Sequence, residues 1–475
     1  MGLACVSHPD PSFESYEEYE AMVVETARKW ARGQRPLFEQ SRPPTLKTLS
    51  DLLRMSRLEL LSDLLKAQIQ TLAPELLHQE FADCPCCRRT VRRKRFEPKV
   101  ISTLHGRFSL HRPYFYCAPC GHGFAPVDEA LGIAPEVHQY DVQDAITVTS
   151  ARVAYEEAAD LVERLTGVSV SAHLGHTTLT SVAQAATLER VIPDPEEIAR
   201  RIQQATGPAG ERPVLVVTAD GAKAPVRPKA PRKGKRGEGG YREARGVRLY
   251  VLDPDDEIIP IASWHQIQKA EAFRHDVARI AERIPQHKVR ISLVADGAPW
   301  VWKALKESFP TGREILDFFH CFEHLHTVAR AQFGEKSLPG HQWAETLMVR
   351  LADGEVSTAL RSLRAMKPTD DTAKEQIRKL IGYLKGQAHR LHYIDDLKDG
   401  HPIGSGAIES ANKFICHVRL KRSGAWWVEE TGNDMLRIRC ALYNGTYERV
   451  FDHYMAAHSP NASRGFAKED DPRSE

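Results

Sequence analysis

The sequence twice places an acidic turn after an apolar run, as Thr218-Ala219-Asp220-Gly221-Ala222 after Val214-Leu215-Val216-Val217 and as Ala295-Asp296-Gly297-Ala298 after Val289-Arg290-Ile291-Ser292-Leu293-Val294. β-Branched runs of this length predict buried strands, each ending at its aspartate. A single Asp before Gly usually caps a turn, but the same context after two strong strands favours a functional pair. If the strands are neighbours, the carboxylates of Asp220 and Asp296 converge at one edge of a sheet.

A third acidic residue follows a flexible turn late in the chain. The stretch His401-Pro402-Ile403-Gly404-Ser405-Gly406-Ala407-Ile408-Glu409-Ser410-Ala411-Asn412-Lys413 predicts a helix that begins after the Gly-Ser-Gly turn and carries Glu409 near its start. A Glu on a solvent-facing helix surface is the alternative. Asp317, after a further expected strand over 314–316, competes for the role of third acid. We rank Asp317 below Glu409 because it lies so near Asp296 in the sequence.

Three carboxylates of this kind suit divalent cations. They can hold two Mg²⁺ or Mn²⁺ ions about 4 Å apart, one activating the attacking oxygen and the other stabilising the leaving oxygen in an in-line phosphoryl displacement. Two Asp from strands and one acid from a later helix are the layout of a ribonuclease H-like nuclease or integrase core. Asp220, Asp296 and Glu409 are therefore the candidate catalytic residues and metal ligands.

Paired cysteines predict a zinc module. Cys84-Pro85-Cys86-Cys87 and Cys117-Ala118-Pro119-Cys120 are Cys-x-x-Cys knuckles separated by 29 residues. Two such knuckles supply the four thiolates of a tetrahedral structural Zn²⁺ site. We expect the ligands to be Cys84, Cys87, Cys117 and Cys120, with Cys86 as an alternative to Cys87. Strands over 100–104 and 108–115 would form the hairpin of a zinc ribbon, and a redox pair or disulfides are the disfavoured alternatives.

The composition is that of an ordinary globular protein. With 65 Lys and Arg against 63 Asp and Glu the net charge is +2, and 42% of the residues are hydrophobic. These values exclude collagen-like, wholly disordered and disulfide-scaffold proteins. Apolar runs such as Val214–Val217 fall far short of the roughly 18 residues of a membrane span. The first residues show no signal for secretion or acylation. We therefore expect a cytoplasmic protein with no membrane partner.

Two basic segments stand out against this balance. Residues 88–99 carry seven cations and one acid, so 7 − 1 = +6, and residues 227–245 carry eight cations and two acids, so 8 − 2 = +6. Clustered cations fit a polyanion footprint, although solvated loops are the alternative. Cations beside Trp426 and Trp427 form a third candidate surface, unless the two Trp are core residues. The DNA-binding candidates are Arg88, Arg89, Arg92, Arg93, Lys94, Arg95, Lys229, Arg232, Lys233, Lys235, Arg236, Lys413, Arg419, Lys421, Arg422, Trp426 and Trp427.

With these motifs the sequence resembles the bacterial insertion-sequence transposases of the DDE class, of the ISKra type. The resemblance rests on the cysteine knuckles, the two Ala-Asp-Gly turns, and the stretch from Gly404 through Glu409 to Lys421-Arg422-Ser423-Gly424-Ala425-Trp426-Trp427, and it extends over nearly the whole chain. It implies that Asp220 and Asp296 are strand-borne metal ligands and that Glu409 is the third. It also implies that 326–400 is the all-helical insertion that related transposases place between the second Asp and the Glu.

A shorter motif is similar to one in Mutator-like transposases. Cys321-Phe322-Glu323-His324 matches the Cys-x-x-His that those proteins carry after their second Asp. Cys321 and His324 are therefore candidates for an accessory role, and local packing is the alternative.

The fold class that we predict is a multidomain α+β protein with an RNase H-like α/β catalytic core. A helix-turn-helix is expected within the helical DNA-binding region, with helices at 156–165 and 172–184, Gly167 ending the first and Ser169 capping the second, and a generic helical hairpin is the alternative. The expected domains are an N-terminal helical region (1–78), a zinc ribbon (79–128), a helical and helix-turn-helix region (129–205), the first part of the core (206–325), an all-helical insertion (326–400), the last part of the core (401–458) and a disordered tail (459–475).

The predicted function is metal-dependent cleavage of DNA at insertion-sequence ends, followed by transfer of the freed 3′-hydroxyl to target DNA. We expect a homo-oligomer acting on paired ends, associated with chromosomal DNA and without a small-molecule substrate. One alternative is an RNase H-like nuclease that does not transfer strands. The other is a catalytically silent DNA-binding regulator that derives from a transposase and keeps the zinc ribbon and helix-turn-helix.

Overall fold

The computed structural model describes residues 13–39, 44–207, 210–229 and 238–458. The chain forms two compact units, unit 1 (Met1–Val182 and Phe451–Glu475) and unit 2 (Ala183–Val450). Helices and two separate sheets confirm the mixed α+β class. The tail predicted to be disordered, 459–475, lies outside the described residues. Among the helices that are described, none has the length and apolar character needed to cross a membrane.

A four-stranded antiparallel sheet in unit 1 carries the cysteine knuckles. Its strands are β1 (Phe81–Asp83), β2 (Thr90–Thr103), β3 (Gly106–Cys117) and β4 (His122–Phe124), in that order across the sheet. The expected hairpin is present, but β2 begins ten residues earlier than the apolar pattern indicated. The reason is that the basic residues of β2 still pair along β3, from Arg93 opposite Phe115 to Thr103 opposite Gly106.

Helices cover this hairpin and precede unit 2. In chain order the first seven helices are α1 (Phe13–Gly33), α2 (Leu46–Leu72), α3 (Pro74–His78), α4 (Pro126–Ala130), α5 (Tyr140–Ser150), α6 (Tyr155–Thr166) and α7 (Ala172–Ala185). Helix α2 lies tightly on the β2–β3 turn, because a Cβ on Gly106 (φ 118°) would be 2.4 Å from the carbonyl oxygen of Leu58. Leu77, Ile101, Phe108 and Leu110 form the core between helix and hairpin.

The segment predicted to be a helix-turn-helix contains two helices, α6 and α7. One of the two predicted capping residues is correct and the other is wrong. Gly167 ends α6 in the left-handed region (φ 80°), as predicted. The residue that caps α7 is Ser171, whose Oγ accepts the Leu174 N–H at 3.1 Å, and not Ser169. The difference arises because the chain between Gly167 and Ser171 is not helical. Helix α7 contains no Lys or Arg.

A five-stranded mixed sheet organises unit 2. Its strands are β5 (Val214–Val226), β6 (Gly240–Leu252), β7 (Ile258–Ile267), β8 (Arg290–Ala295) and β9 (Arg313–Leu316), in the order β7-β6-β5-β8-β9. Strands β8 and β9 run parallel to β5, whereas β6 and β7 are antiparallel neighbours. The helices of unit 2 are α8 (Leu188–Val191), α9 (Pro195–Gln204), α10 (Ala270–Ala281), α11 (Pro299–Ser308), α12 (Phe318–Phe333), α13 (Leu338–Ala352), α14 (Val356–Ala365), α15 (Asp371–Gln387), α16 (Tyr393–Lys398), α17 (Gly406–Ala411), α18 (Val418–Leu420) and α19 (Glu429–Asn444). Helix α20 (Tyr447–His458) follows, and from Phe451 onwards its residues belong to unit 1.

The helices α12 to α16 share one hydrophobic core with the sheet. Val216, Val294 and Leu316 from three strands belong to the same buried cluster as Leu325 and Leu380 from the helices. The chain from Phe318 to Gly400 contains helices and turns but no strand. The boundary predicted at residue 326 falls inside α12, because that helix already begins at Phe318.

The start of α12 depends on one buried carboxylate. Asp317, which is 1% exposed, accepts the backbone N–H of His320 at 2.6 Å with Oδ1 and that of Ser405 with Oδ2. The next residue, Phe318, donates its N–H to the Ile403 carbonyl at 2.9 Å. Asp317 therefore both caps α12 and anchors the 401–405 loop that leads into α17.

We predict that Asp317→Ala destabilises unit 2 strongly. The substitution removes a helix cap, worth about 1 kcal/mol, and leaves a buried Ser405 N–H without its acceptor, at a cost of roughly 1–3 kcal/mol. The free energy of unfolding, measured by urea denaturation with far-ultraviolet circular dichroism, should fall by about 2–4 kcal/mol. The matched control is Asp370→Ala, because Asp370 is an exposed cap of α15 that makes a single bond to the Ala373 N–H at 2.7 Å. Equal losses in the two variants would contradict the anchoring role.

Candidate functional site

The two aspartates of the repeated motif lie on adjacent parallel strands. The pairing of β5 with β8 runs from Val214 opposite Arg290 to Thr218 opposite Val294, a constant offset of 76 residues. Both aspartates lie two residues beyond the last pair, and 296 − 220 is again 76, so the same offset continued by two residues would set them level. Asp296 follows the end of β8, as predicted. Asp220 does not end its strand, because β5 continues to pair with β6 as far as Val226.

Glu409 is close enough to Asp220 for its charge to affect the pKa of the Asp220 carboxyl. Burial raises the pKa of the Asp220 carboxyl above its ordinary value, and the negative charges of Asp296 and Glu409 raise it further. The N–H of Gly221 and the nearby His320 act in the opposite direction. Three carboxylates therefore share one electrostatic environment. They are spaced more widely than a compact single-ion cluster, since their oxygens do not all lie within 4.8 Å of one another.

The three acids are held to different degrees. Asp220 accepts the Gly221 N–H at 2.6 Å with Oδ1 and the Asn412 side-chain amide at 2.8 Å with Oδ2. Asp296 accepts the Ala298 N–H at 3.0 Å with Oδ1. Glu409 lies exposed on α17.

Helix α15 holds the turn that carries Asp296. Tyr383 donates its hydroxyl to the carbonyl of Asp296 at 3.1 Å, and Gln387 donates its amide to the carbonyl of Gly297 at 3.3 Å. Gly297 has φ 101°, a conformation that favours glycine. Sequence reasoning missed Tyr383 and Gln387, because nothing in the spacing links them to a turn about 90 residues earlier.

The residues of the Cys-x-x-His motif have separate environments on α12. Cys321 is fully buried in the hydrophobic cluster of unit 2, and burial raises the pKa of its thiol to about 12. His324 packs against the ring of Tyr383, with centroids 4.3 Å apart. The residue of this helix whose charge affects the pKa of Asp220 is His320. The surroundings of Cys321 support packing, and an accessory role for Cys321 and His324 stays a prediction.

The four expected cysteines form a cluster that can hold a metal such as zinc. One sulfur atom from each of Cys84, Cys87, Cys117 and Cys120 lies within 4.8 Å of the other three, whereas Cys86 is exposed and outside the group. The first knuckle closes through the Cys84 carbonyl, which accepts the Arg88 N–H at 2.8 Å. Burial would raise the pKa of Cys84, but the backbone N–H groups of Cys87 and Cys86 together with the thiols of Cys117 and Cys87 lower that pKa to about 7. Hydrogen bonds among the same sulfur atoms contribute to raised pKa values for the thiols of Cys117 and Cys120. A low thiol pKa favours the thiolate that a metal requires.

Some of the cations between residues 88 and 95 make hydrogen bonds or ion pairs within the protein, and others have no carboxylate partner among the described residues. Arg92 pairs with Glu80 at 2.7 Å and Arg95 pairs with Glu97, while Arg93 donates to the carbonyls of residues 78 and 79 at 3.1 Å. In the described part of the chain, no carboxylate pairs with Arg88, Arg89 or Lys94. The Lys94 ammonium lies 4.4 Å from the centre of the Tyr116 ring.

The middle of the second basic segment, 230–237, lies outside the described residues, and with it Arg232, Lys233, Lys235 and Arg236. At its described flanks, Lys229 is 3.9 Å from Glu430 and Arg242 is 2.8 Å from Glu429.

The two tryptophans after Glu409 separate. Trp427 is buried and donates its indole N–H to the Leu420 carbonyl at 3.2 Å, and Arg419 lies buried over its ring at 5.0 Å. Trp426 is 40% exposed and packs near Tyr241. Burial thus supports packing for Trp427 and Arg419. Lys413, Lys421 and Arg422 are exposed.

We predict that Cys87, and not Cys86, binds zinc. The purified chain should contain about one zinc ion, and Cys87→Ser should lose it because a hydroxyl replaces one of four thiolates. Cys86→Ser is the matched control and should retain the ion, because its side chain is outside the cluster. Zinc content is measured by inductively coupled plasma mass spectrometry. Zinc loss in Cys86→Ser with retention in Cys87→Ser would reverse the assignment.

Comparison with known proteins assigns a family but not an activity. No curated protein matches the chain. Among solved structures, the Drosophila P element transposase strand transfer complex has 10% sequence identity, with 67% of this chain and 83% of that chain covered, at a TM-score of 0.26. That TM-score is too low to establish a shared fold. The family described as "Uncharacterised protein family (UPF0236)" matches residues 57–453, which is most of the 475 residues, and the chain belongs to this family.

Proposed function

We propose that this protein is a DDE transposase of the ISKra type, which cleaves DNA at insertion-sequence ends and transfers the freed strand to target DNA. The observation that carries the proposal is the parallel register of β5 with β8, whose last pair, Thr218 opposite Val294, lies two residues before Asp220 and Asp296. The influence of Glu409 on the pKa of Asp220 adds the third acid from a later helix. This is the layout that a ribonuclease H-like core requires.

The residues present fit divalent cations. Carboxylate oxygens are the ligands that Mg²⁺ and Mn²⁺ prefer, and the site offers three carboxylates that repel one another. Burial above all, and then the charges of Asp296 and Glu409, raise the pKa of Asp220, and bound cations would offset that charge repulsion. When two such ions are bound, they activate the attacking oxygen and stabilise the leaving oxygen. In the proposal, Asp220, Asp296 and Glu409 hold them.

In the proposal, hydrogen bonds within the protein orient the carboxylates, and exposed cations bind the DNA backbone. Hydrogen bonds from Gly221 and Asn412 fix the carboxylate of Asp220, and the α15 side chains fix the turn of Asp296. Exposed cations after Glu409 lie on the chain segment that follows α17 and suit contacts with phosphates. The cysteine cluster has four protein ligands and no open position, so we assign it a structural role.

We predict that Asp220→Asn, Asp296→Asn and Glu409→Gln each abolish excision and rejoining. An amide lacks the charge that a divalent cation needs, so strand scission should fall to background in a cellular assay of a marked gene with its native flanks. The control is Asp276→Asn, because the carboxylate of Asp276 is also partly buried but bonds only to Trp264 at 2.8 Å and Gln268 at 3.0 Å. The control should retain activity if it folds as the wild type does.

The assay separates the alternative functions. Wild-type scission without rejoining, lost in the Asp220 variant, would assign a nuclease. Equal inactivity of wild type and variants, with purified protein still binding the flanks, would assign a DNA-binding regulator. Full scission in all three variants would refute the metal-site assignment.

A second prediction concerns phosphate contact by the basic residues that follow the first cysteine knuckle. Replacing Arg88, Arg89 and Lys94 together by Ala should reduce the slope of log affinity against log salt by about 2–3, since each lost phosphate contact removes about 0.9. The control is the Arg92→Ala, Arg95→Ala double variant, because both guanidinium groups are paired with glutamates. Fluorescence anisotropy with labelled flank DNA at several salt concentrations measures the slope. Unchanged slopes would return these cations to the class of solvated side chains.

A further inference from the structure

Three strands place a histidine in line with Asp220. In the register of the sheet, Asp220 of β5 is opposite Gly246 of β6, and Gly246 is opposite His265 of β7. Directly paired residues point to the same face of a sheet, so Asp220 and His265 share a face, with their backbones about 10 Å apart. That distance is too long for a direct bond between a carboxylate and an imidazole.

The glycine between them makes room for the histidine ring. A Cβ on Gly246 would lie 2.2 Å from both Cδ2 and Nε2 of His265. The imidazole therefore lies across the backbone of β6, over the position that any other residue would fill. Its Nε2 is thereby brought towards β5.

Asn412 completes the connection. Its Oδ1 is 3.0 Å from Nε2 of His265, and its Nδ2 is 2.8 Å from Oδ2 of Asp220. An ionised carboxylate only accepts hydrogen bonds, so the amide must donate to Asp220, and its oxygen must accept from His265. The direction of the network is fixed from His265 through Asn412 to Asp220.

The protonation state of His265 agrees with this direction. The ring is fully buried, and burial lowers its pKa to about 4. A neutral imidazole carries one N–H, and the network places it on Nε2. Asn412 itself is 3% exposed and begins the π-helical segment Asn412–His417, whose carbonyls at residues 414 and 415 accept from the buried Arg439. Such segments often occur at functional sites.

We propose that His265, Asn412 and the space above Gly246 form a positioning network that orients the Asp220 carboxylate for a divalent cation. The inference rests on the proposed function in one respect, the assignment of Asp220 as a ligand. His265 and Asn412 are positioning residues, because neither is assigned contact with DNA or metal. Partners that orient ligands in this way typically change metal affinity by about 10–100-fold when they are lost.

The test uses Mn²⁺ as probe and the full chain. Isothermal titration calorimetry measures the Mn²⁺ affinity of the site, defined as the binding that Asp220→Asn removes. His265→Leu and Asn412→Ala should weaken that affinity by about 10–100-fold. His265→Gln should bind nearly as the wild type does, because its amide N–H can replace Nε2–H as the donor to Asn412.

Asn433→Ala is the matched control. Asn433 is also an amide that bonds β7, accepting the Ile267 N–H at 2.7 Å and donating to the Ile267 carbonyl at 3.1 Å. It makes no bond to Asp220, so its loss should lower the thermal midpoint without changing the Mn²⁺ affinity. If His265→Leu does not fold, Asn412→Ala against His265→Gln carries the comparison.

The outcomes separate this inference from the proposed function. Wild-type Mn²⁺ affinity in both His265→Leu and Asn412→Ala overturns the network, even if the wild type cleaves DNA in an Asp220-dependent manner. Weakened affinity in these variants, with rescue in His265→Gln, supports the network even if no DNA is cleaved, in which case the proposed function alone fails. Absence of any Asp220-dependent Mn²⁺ binding overturns the network.

Discussion

The parallel pairing of β5 with β8 is the constraint on which the rest of unit 2 depends. Strands β6 and β7 occupy one side of β5 as antiparallel neighbours, so the chain must cross over through α10 to place a parallel strand on the other side. The offset of 76 residues between the paired strands then determines where β8 ends relative to β5. A slip of one residue would turn the side chains of one strand to the opposite face. The meeting of Asp220 and Asp296 is thus a consequence of register.

The helical segment from Phe318 to Gly400 packs as an integral part of unit 2. It shares a continuous hydrophobic core with the sheet, and its helix α15 supplies the two bonds that hold the Asp296 turn. At its beginning, Asp317 fastens the loop that leads to α17. The segment therefore holds both the turn of Asp296 and the loop before Glu409, and its packing is coupled to the geometry of these acids.

Local patterns in the sequence predicted the strands, the paired acids and the cysteine cluster, because each depends on neighbouring residues or fixed short spacings. The extension of β5 beyond Asp220 was missed, since Ala-Asp-Gly-Ala looks like a turn until β6 supplies a pairing partner. The cap at Ser171 and the burial of Trp427 were also not predicted, because they depend on the path of the backbone around these residues. The bond between Asn412 and His265 was missed for a stronger reason, because 147 residues separate them and they meet only where the segment Asn412–His417 packs against the sheet.

The three acids differ in how far the fold orients them before any ligand arrives. Asp220 is fixed through both oxygens, Asp296 through one, and Glu409 lies exposed on a helix of six residues. A carboxylate whose rotamer is already fixed loses little conformational entropy on coordinating a cation, whereas an exposed Glu loses more. In the proposed cation site, the sheet would therefore preorganise one side, and the main ordering cost would fall on Glu409 of α17. Asn412 directly follows α17 and donates to Asp220. The chain segment that carries Glu409, the acid with the least support, therefore also helps to fix Asp220, which is held through both oxygens.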